Sequence, residues 1–389
     1  MFYWVSSKVS FPSPEVVELL DSNYSPEVDP DRLNLALRKH GYDPATCVEV
    51  ASQVELRQKA RHKLGTLADS LLFTRAGLEQ ASRLAIARYH AMRLRDCGSV
   101  SDLSCGLGID AFAFAEADLE VVAIDIDEVT AEFAASNLSR FENAKARAGD
   151  ARDHSVQTKA VFLDPARRDL KASSRSRKLL TPDDFEPPID FVFELLAKHP
   201  GGVKLSPAMP HELIDPRFES AWVSNKGDLV EFSQWSTDSS RAGRRFAVMV
   251  DEDAAMEYTG DVFEADVTPL SEFIYEPDPA LIRSHLIGAF AREHGLGSVS
   301  QGIAYLTGAE CSSPWLRGFK VVEELPLHEK AIKAYLAKLD IGRVEIKKRG
   351  VDIDPEVFRK KLKLKGSGAA TLIATKVGGA RKALVCHES

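Results

Sequence analysis

The sequence predicts an α/β protein with a Rossmann-like parallel sheet, a helical region before the sheet and small α+β modules after it. Between about residues 96 and 265, short apolar strands alternate with helices, a pattern typical of a parallel sheet covered on both faces. The first strand runs into the glycine turn Gly106-Leu-Gly108, and acidic residues follow several strands. A glycine turn between a strand and a helix indicates a site for a nucleotide-type ligand.

The composition is that of an ordinary globular protein, but its charge is unevenly distributed. Of 389 residues, 44% are hydrophobic, and no apolar run reaches the roughly 20 residues of a membrane span. The five cysteines form no Cys-x-x-Cys pair, so we predict a cytoplasmic protein without a zinc site. Residues 331–389 hold 14 Lys and Arg against 6 Asp and Glu, whereas residues 1–330 hold 36 against 52. This asymmetry is expected when one domain binds a polyanion, although a solvated helix face gives the same pattern.

The elements follow in order from the hydrophobic pattern. Residues 1–95 are predicted to be mostly helical, and the clearest helix there spans 78–95. The parallel strands of the sheet are predicted at 99–104, 120–125, 145–150, 160–164 and 202–206, with helices at 109–117, 128–141 and 189–198. Segments 222–225, 229–235 and 246–250 lack long helices between them and are predicted to finish the sheet as antiparallel strands.

From about residue 266 the strict alternation ends, which favours small α+β modules. Helices are predicted at 279–293, 329–339 and 355–364, and strands at 273–275, 303–306, 319–322, 342–348, 371–375 and 382–386.

Four acidic features fall at the ends of successive strands, where open α/β sheets bind their ligands. They are Asp102 with the glycine turn, then Asp125, Asp150 and Asp164. The turn also fits a dinucleotide loop, but carboxylates beside it would repel a pyrophosphate. S-adenosylmethionine carries a sulfonium and an ammonium instead of phosphates, so the same carboxylates suit it. The charges therefore favour this cofactor over a dinucleotide.

The ordered motifs resemble a known family. The series Asp-x-x-x-Gly-x-Gly, acid-ended second strand, Gly149-Asp-Ala151 and Asp164-Pro-Ala-Arg167 is similar to class I S-adenosylmethionine-dependent methyltransferases. The stretch 73–82, the segment Tyr275-Glu-Pro-Asp-Pro-Ala280 and the tail Ile346-Lys-Lys-Arg-Gly350 resemble bacterial members with ferredoxin-like and C-terminal THUMP-like domains. The resemblance covers nearly the whole chain. It implies four domains: residues 1–95, helical; 96–265, methyltransferase; 266–324, ferredoxin-like; and 325–389, THUMP-like and RNA-binding.

The resemblance also implies roles for single residues. The loop from Asp102 to Gly108 would hold the methionine end of S-adenosylmethionine, Asp125 the ribose and Asp150 the adenine. The full set of implied cofactor-binding residues is Phe73, Thr74, Asp102, Ser104, Gly106, Gly108, Asp125, Ile126, Asp150 and Ala151. Asp164, Pro165 and Arg167 are the implied catalytic residues, with Asp164 orienting or deprotonating the nucleophile. Ala166 and Arg167 replace the proline and the aromatic residue that nucleic-acid amino-methyltransferases carry after this Asp-Pro pair.

Basic residues flank the implied site and fill the C-terminal region. We predict RNA contacts from Arg168, Lys171, Arg175, Arg177, Lys178, Lys347, Lys348, Arg349, Lys360 and Lys361. The expected function is methylation of tRNA or rRNA on a base, with no metal and no membrane partner. Two alternatives stay open: a small-molecule methyltransferase with a merely solvated tail, and a non-catalytic RNA-binding protein.

Overall fold

A computed structural model describes residues 10–167, 184–252 and 254–388 of the protein. The chain divides into two compact units. The first unit comprises Met1–Ser220, Val230–Arg244 and Val250–Ala255, and the second comprises Ala221–Leu229, Arg245–Met249 and Met256–Ser389. Among the described residues, no helix has the length and apolar character needed to span a membrane.

Five helices precede the sheet of the first unit. They are α1 (Pro14–Asn23), α2 (Pro30–Lys39), α3 (Pro44–Leu64), α4 (Arg75–Gln80) and α5 (Leu84–Leu94). The side chains of Ser13, Asp29 and Asp43 cap the first three by accepting backbone N–H groups, and a proline begins each of these helices. Such caps satisfy donors that the first helical turn leaves free, so the sequence fixes where each helix starts.

The helix predicted at 78–95 is wrong in one respect, because it is broken into α4 and α5. Ala81 adopts an extended conformation and ends α4. The Lys63 ammonium donates to the carbonyl oxygens of Leu78, Glu79 and Ala81 at 2.8, 2.7 and 3.0 Å. Since these carbonyls gain a partner from another helix, the chain can leave the helical path without stranding them.

The sheet region of the first unit alternates strands and helices as predicted. The elements between residues 99 and 259 are β1 (Ser99–Asp102), α6 (Ile109–Glu116), β2 (Glu120–Asp125), α7 (Glu128–Leu138), β3 (Ala144–Ala148), β4 (Ala160–Leu163), β5 (Ala166–Arg167), β6 (Phe185–Glu186), α8 (Ile189–Lys198), β7 (Gly201–Leu205), β8 (Glu219–Asn225), β9 (Asp228–Trp235), β10 (Arg245–Asp251) and β11 (Ala254–Thr259).

Within the first unit the strand order is β9-β7-β4-β1-β2-β3. The strands from β7 to β3 are parallel, and β9 runs antiparallel to β7. This confirms the predicted α/β class and, for β9, the predicted antiparallel continuation. Gly202 on β7 lies against the Trp235 ring, where an added Cβ would come within 2.4 Å of the indole. Strands β8, β10 and β11 belong mostly to the second unit, in the order β11-β10-β8.

The rest of the second unit forms a separate sheet. Its elements are β12 (Phe273–Pro277), α9 (Pro279–Arg283), α10 (Ile287–Glu293), β13 (Gly297–Ser298), β14 (Leu306–Gly308), β15 (Leu316–Pro326), α11 (Glu329–Lys338), β16 (Ile341–Lys348), α12 (Pro355–Leu362), β17 (Gly368–Val377) and β18 (Ala380–Glu388). The seven strands lie in the order β13-β14-β12-β15-β18-β17-β16.

Two local predictions in this unit are wrong. The helix predicted at 279–293 is divided into α9 and α10, and His285 between them has a φ of +63°, which a continuous helix does not allow. The strand predicted at 303–306 is reduced to its last residue, because β14 begins at Leu306. The predicted domain boundary at residues 324/325 falls inside β15, which pairs with β12 on one side and β18 on the other. The four-domain division stays a prediction.

Candidate active site

A cavity of about 270 Å³ opens at the carboxyl ends of β1, β2 and β4 in the first unit. Its walls come from residues between Thr74 and Ser82, from the loop between Asp102 and Asp110, and from residues that follow β2, β3 and β4. The location is the one at which parallel sheets bind ligands, since loops from several strands converge there.

The glycine turn gives the cavity its floor. Gly106 and Gly108 have φ angles of +52° and +78°, which residues with a Cβ adopt only with strain. At Gly108 an added Cβ would also lie 3.3 Å from the Cβ of Ala134 on α7. The Gly106 N–H donates to Asp125 Oδ2 at 3.0 Å, and the Asp127 N–H donates to Asp125 Oδ1 at 3.0 Å. Hydrogen bonds to Asp125 therefore connect the glycine turn to the end of β2.

Asp102 is the exception among the acids of the site, because it is buried without a partner. Its side chain lies at the end of β1 and is 1% exposed. Among the described residues, no donor reaches either carboxylate oxygen with the distance and angle of an ordinary hydrogen bond, although the Ser104 backbone acts to lower the pKa. Burial, followed by the negative charge of Asp110, raises its pKa well above the ordinary value. A buried carboxylate without a donor is costly, and a cationic ligand in the cavity would offset that cost.

Asp110, in the first turn of α6, belongs to a buried network that the sequence analysis missed. His90 Nδ1 lies 2.7 Å from Asp110 Oδ1, and His90 Nε2 lies 3.0 Å from Glu231 Oε1. The Ser82 hydroxyl donates to Asp110 Oδ2 at 2.8 Å. Although burial opposes its charge, the two carboxylates raise the pKa of His90 to about 10. His90 is thus an imidazolium between two carboxylates, directly behind the cavity wall.

Asp164, at the end of β4, is paired with a lysine. Lys204 on β7 donates a hydrogen bond to Asp164 Oδ2, and the Asp164 N–H donates to the Ser104 hydroxyl at 2.7 Å. Burial raises the pKa of Asp164, while Lys204 acts in the opposite direction. Burial also opposes the charge of Lys204, but Asp164, Asp110 and Glu231 outweigh it and raise the pKa of the ammonium. The Asp164 side chain is 34% exposed and lines the cavity, and no residue of the described ranges holds its second oxygen.

Asp150 lies at the cavity but is engaged locally. Arg152 Nε donates to Asp150 Oδ1 at 2.9 Å, and the Arg152 backbone N–H donates to the same oxygen at 2.8 Å. These hydrogen bonds lower the pKa of Asp150. The predicted adenine contact therefore involves a carboxylate already neutralised by an arginine.

The other predicted site residues are placed unevenly. Thr74, Ser104, Gly106, Ile126 and Ala151 line the cavity, and the Thr74 hydroxyl also caps α4. Gly108 shapes the turn without lining it. Phe73, also predicted to bind the cofactor, is fully buried, its backbone is bonded to the Gln53 side chain, and it is not among the residues that line the cavity.

The predicted substrate side is described only in part. Pro165 is buried, and the Arg167 backbone pairs with Phe185 of β6. Five of the predicted RNA-binding residues lie outside the described residues: Arg168, Lys171, Arg175, Arg177 and Lys178.

In the second unit, three of the predicted RNA-binding residues already have partners. Lys347 Nζ lies 2.7 Å from Glu276 Oε2, and Arg349 Nη2 lies 3.8 Å from Glu276 Oε1. Lys348 donates to the Ile353 carbonyl oxygen at 2.7 Å. Lys360 and Lys361 on α12 are exposed.

The first-unit cavity suits a cation without phosphates. Asp102, Asp110, Asp125 and Asp164 surround it, and Lys204 is held by Asp164. A sulfonium with an ammonium matches this acidic lining, whereas a pyrophosphate would meet repulsion. Among the residues described, no cluster of three His, Cys, Asp or Glu side chains could hold a metal ion.

Comparison with known proteins gives three matches. Residues 316–388 match the family described as "THUMP domain-like". The chain is 32% identical over 350 residues to an uncharacterized S-adenosylmethionine-dependent methyltransferase of Mycobacterium tuberculosis, found in two strains, and the match covers 86% of this chain and 95% of the relative. It also resembles the crystal structure of a protein described as a methyltransferase from Porphyromonas gingivalis, with a TM-score of 0.81 and 22% identity, over 98% of this chain and 100% of that chain. The structural likeness supports the fold.

Proposed function

The chain belongs to the S-adenosylmethionine-dependent methyltransferases, and from this premise we propose that it methylates an RNA in the cytoplasm, on a base of tRNA or rRNA. The observation that carries the proposal is the C-terminal segment 316–388, which matches the THUMP-like family and lies in the basic part of an otherwise acidic chain. A basic domain attached to an acidic body favours a polyanionic substrate. A small-molecule methyltransferase has no need of such a domain.

The chain's own residues divide the work of binding the cofactor. Asp102 would neutralise the cationic methionine end, since its carboxylate is buried and accepts no hydrogen bond of ordinary geometry from the described residues. Asp125 would accept the ribose hydroxyls, and the loop after β3 with Asp150 and Ala151 would contact the adenine. When bound, S-adenosylmethionine supplies an activated methyl group. The protein would contribute positioning and the exclusion of water.

Asp164 is the proposed catalytic residue. Lys204 fixes one carboxylate oxygen, which leaves the other to accept the proton of the nucleophile or to orient it. The methyl carbon would gain a bond to the acceptor atom as it loses its bond to sulfur, and Asp164 would take the proton that the acceptor releases. Burial supports this role because it makes Asp164 a better base, while Lys204 keeps it ionised.

The test is nucleoside mass spectrometry of RNA from a deletion strain and its parent. We expect one methylated nucleoside to be missing and to return when the intact gene is supplied. An Asp164→Ala variant should not restore it, and the purified variant should lose about 10²–10⁴-fold in rate while still binding cofactor. If no nucleoside changes while the protein methylates a small molecule, the RNA proposal fails. Absence of cofactor binding by calorimetry would favour a non-catalytic RNA-binding protein over both kinds of methyltransferase.

A further inference from the structure

A groove in the second unit carries three cations that no described residue neutralises. It lies beside β16, the last strand of the seven-stranded sheet, and has a volume of about 940 Å³. Arg343 on β16, Lys360 on α12 and Lys363 directly after α12 line it, and all three side chains are exposed. We define these three residues as the basic groove. We propose that the basic groove binds the phosphate backbone of a single RNA strand, an inference that rests on the proposed RNA substrate.

The groove is open because its lining includes small residues. Ala369 and Ala370 on β17 leave room that larger side chains would fill. Lys363 ends α12 with a φ of +47°, a conformation that few residues other than glycine and asparagine adopt readily. The chain thus turns sharply at a residue whose ammonium lines the groove, and α12 contributes cations to the same groove as β16.

The acids of the groove are already paired, so its free charge is positive. Glu388 accepts a hydrogen bond from Arg317 at 2.7 Å, and Glu345 lies 3.7 Å from the same guanidinium. Arg359, the fourth cation of the lining, is paired with Glu356 at 2.6 Å. In the described chain, Arg343, Lys360 and Lys363 have no such partner. Phosphate oxygens would supply the acceptors that these three cations lack.

The groove overlaps only in part with the RNA contacts that the sequence predicted, since Lys360 belongs to both sets. Lys347 and Arg349 share Glu276, and Lys348 donates to a backbone carbonyl, so binding a phosphate would require these contacts to break. Among the described residues, the lining contains no Phe, Tyr or Trp side chain on which a base could stack, and its one ring is the imidazole of His387. The groove is therefore suited to backbone contacts that do not depend on base sequence.

The test compares two triple variants of the full chain that lose the same charge. The groove variant carries Arg343→Gln, Lys360→Gln and Lys363→Asn, because asparagine tolerates the left-handed conformation at position 363. The control carries Lys330→Gln, Lys333→Gln and Lys338→Gln on α11, where the lysines are also exposed. Binding of a fluorescein-labelled 20-nucleotide single-stranded RNA of mixed sequence is measured by anisotropy between 50 and 200 mM KCl, and thermal melting verifies folding.

We expect the groove variant to lose at least about tenfold in affinity. The slope of log K against log salt should fall by about 2, since each phosphate contact on a single strand contributes roughly 0.7. The control should stay within about threefold of the unmodified protein. A second RNA of different sequence should give the same ranking. If a groove variant melts early, the three single substitutions are measured in its place.

Four outcomes would overturn the proposal. Equal losses in the two triple variants would mean that RNA responds to net charge alone. Unchanged binding by the groove variant would place the RNA elsewhere, and the proposed function would survive if the deletion strain still lacked a nucleoside. Displacement of the RNA by an equal concentration of polyglutamate of the same charge would identify an acidic protein segment as the better ligand. Absence of RNA binding by the unmodified chain, together with an unchanged nucleoside profile, would end both proposals.

Discussion

Charged residues behave differently in the two units. Behind the first-unit cavity, His90 and Lys204 are buried and held by the carboxylates of Asp110, Glu231 and Asp164. In the second unit, the cations of the basic groove are exposed and have no partner among the described residues.

The difference shows how an unpaired charge should be interpreted. A buried charge without a partner costs several kcal/mol, whereas an exposed one costs almost nothing. The unpaired carboxylate of Asp102 is therefore a specific sign of a ligand. An unpaired surface lysine becomes informative only when others line the same groove.

The largest effect is expected from breaking the buried network. His90→Ala should lower the free energy of unfolding by about 3–5 kcal/mol, because it leaves two buried carboxylates without their cation. Urea denaturation measures this loss. The exposed His40→Ala should change it by less than about 0.5 kcal/mol. A similar small change at His90 would contradict the charged network, and in a His90→Ala/Glu231→Gln double variant part of the stability should return.

The same network predicts a dependence on pH. The folded pKa of His90, about 10, lies above the ordinary value of 6.5. The stabilisation is thus complete below pH 6.5 and is lost as the pH rises through about 10. In the unmodified protein, the free energy of unfolding should decrease between pH 6.5 and 10 as His90 loses its proton. The His90→Ala variant should lack this decline. If the two proteins gave parallel curves of unfolding free energy against pH, the predicted contribution of His90 would be refuted.

The ion pair of Asp164 and Lys204 at the end of β4 allows a test of the proposed catalytic role of Asp164. Lys204→Met should reduce the methyl-transfer rate by about tenfold or more and shift the acid limb of its pH profile to higher pH. The reason is that Lys204 lowers the pKa of Asp164, which must be ionised to accept a proton. Lys198→Met, on the exposed end of α8, is the matched control. A lower rate with an unshifted profile would make Lys204 a structural residue only.

Asp102 allows the converse test, because removing its charge should not harm the free protein. Asp102→Asn should leave the free energy of unfolding unchanged or raise it, since a buried carboxylate without a donor is replaced by a neutral isostere. Cofactor affinity should fall by at least about tenfold, or ~1.4 kcal/mol. Calorimetry in two buffers should also show that the variant releases fewer protons on binding. Equal affinity would remove Asp102 from the cofactor site.

The smallest effect is expected where charges are paired near the surface. Glu276→Gln should cost no more than about 1 kcal/mol of stability, as is usual for partly exposed ion pairs. It should also raise RNA affinity slightly, because it releases Lys347 and Arg349. Urea denaturation and the same anisotropy assay measure the two effects. A loss of RNA affinity would show that these residues bind RNA while paired.

Local patterns in the sequence were sufficient to predict the parallel sheet and its glycine turn. The strand β2 and the helix α8 begin and end where their hydrophobic pattern predicts. The acids after β1, β2 and β4 line one cavity because parallel strands end at the same edge. These features depend on spacing along the chain, so they could be predicted without a structure.

Features that depend on distant partners could not be predicted. Glu231, the partner of His90, lies 141 residues away, and no spacing rule connects the two. Glu276 lies 71 residues before Lys347, so the sequence gives no sign that this acid pairs with the basic residues of the tail. The break after α4 depends on Lys63 of another helix, and propensity within residues 78–95 gives no sign of it.

The contacts of Lys63 also bear on the smallest fragment of the chain that could bind the cofactor. It ties α3 to the chain segment after α4, and that segment forms a wall of the cofactor cavity. A fragment that begins at residue 96 would keep every strand of the parallel sheet and the whole glycine turn, yet it would lack this wall. We therefore expect the helical region to contribute to cofactor binding, and limited proteolysis between α3 and β1 should abolish that binding while the sheet stays folded.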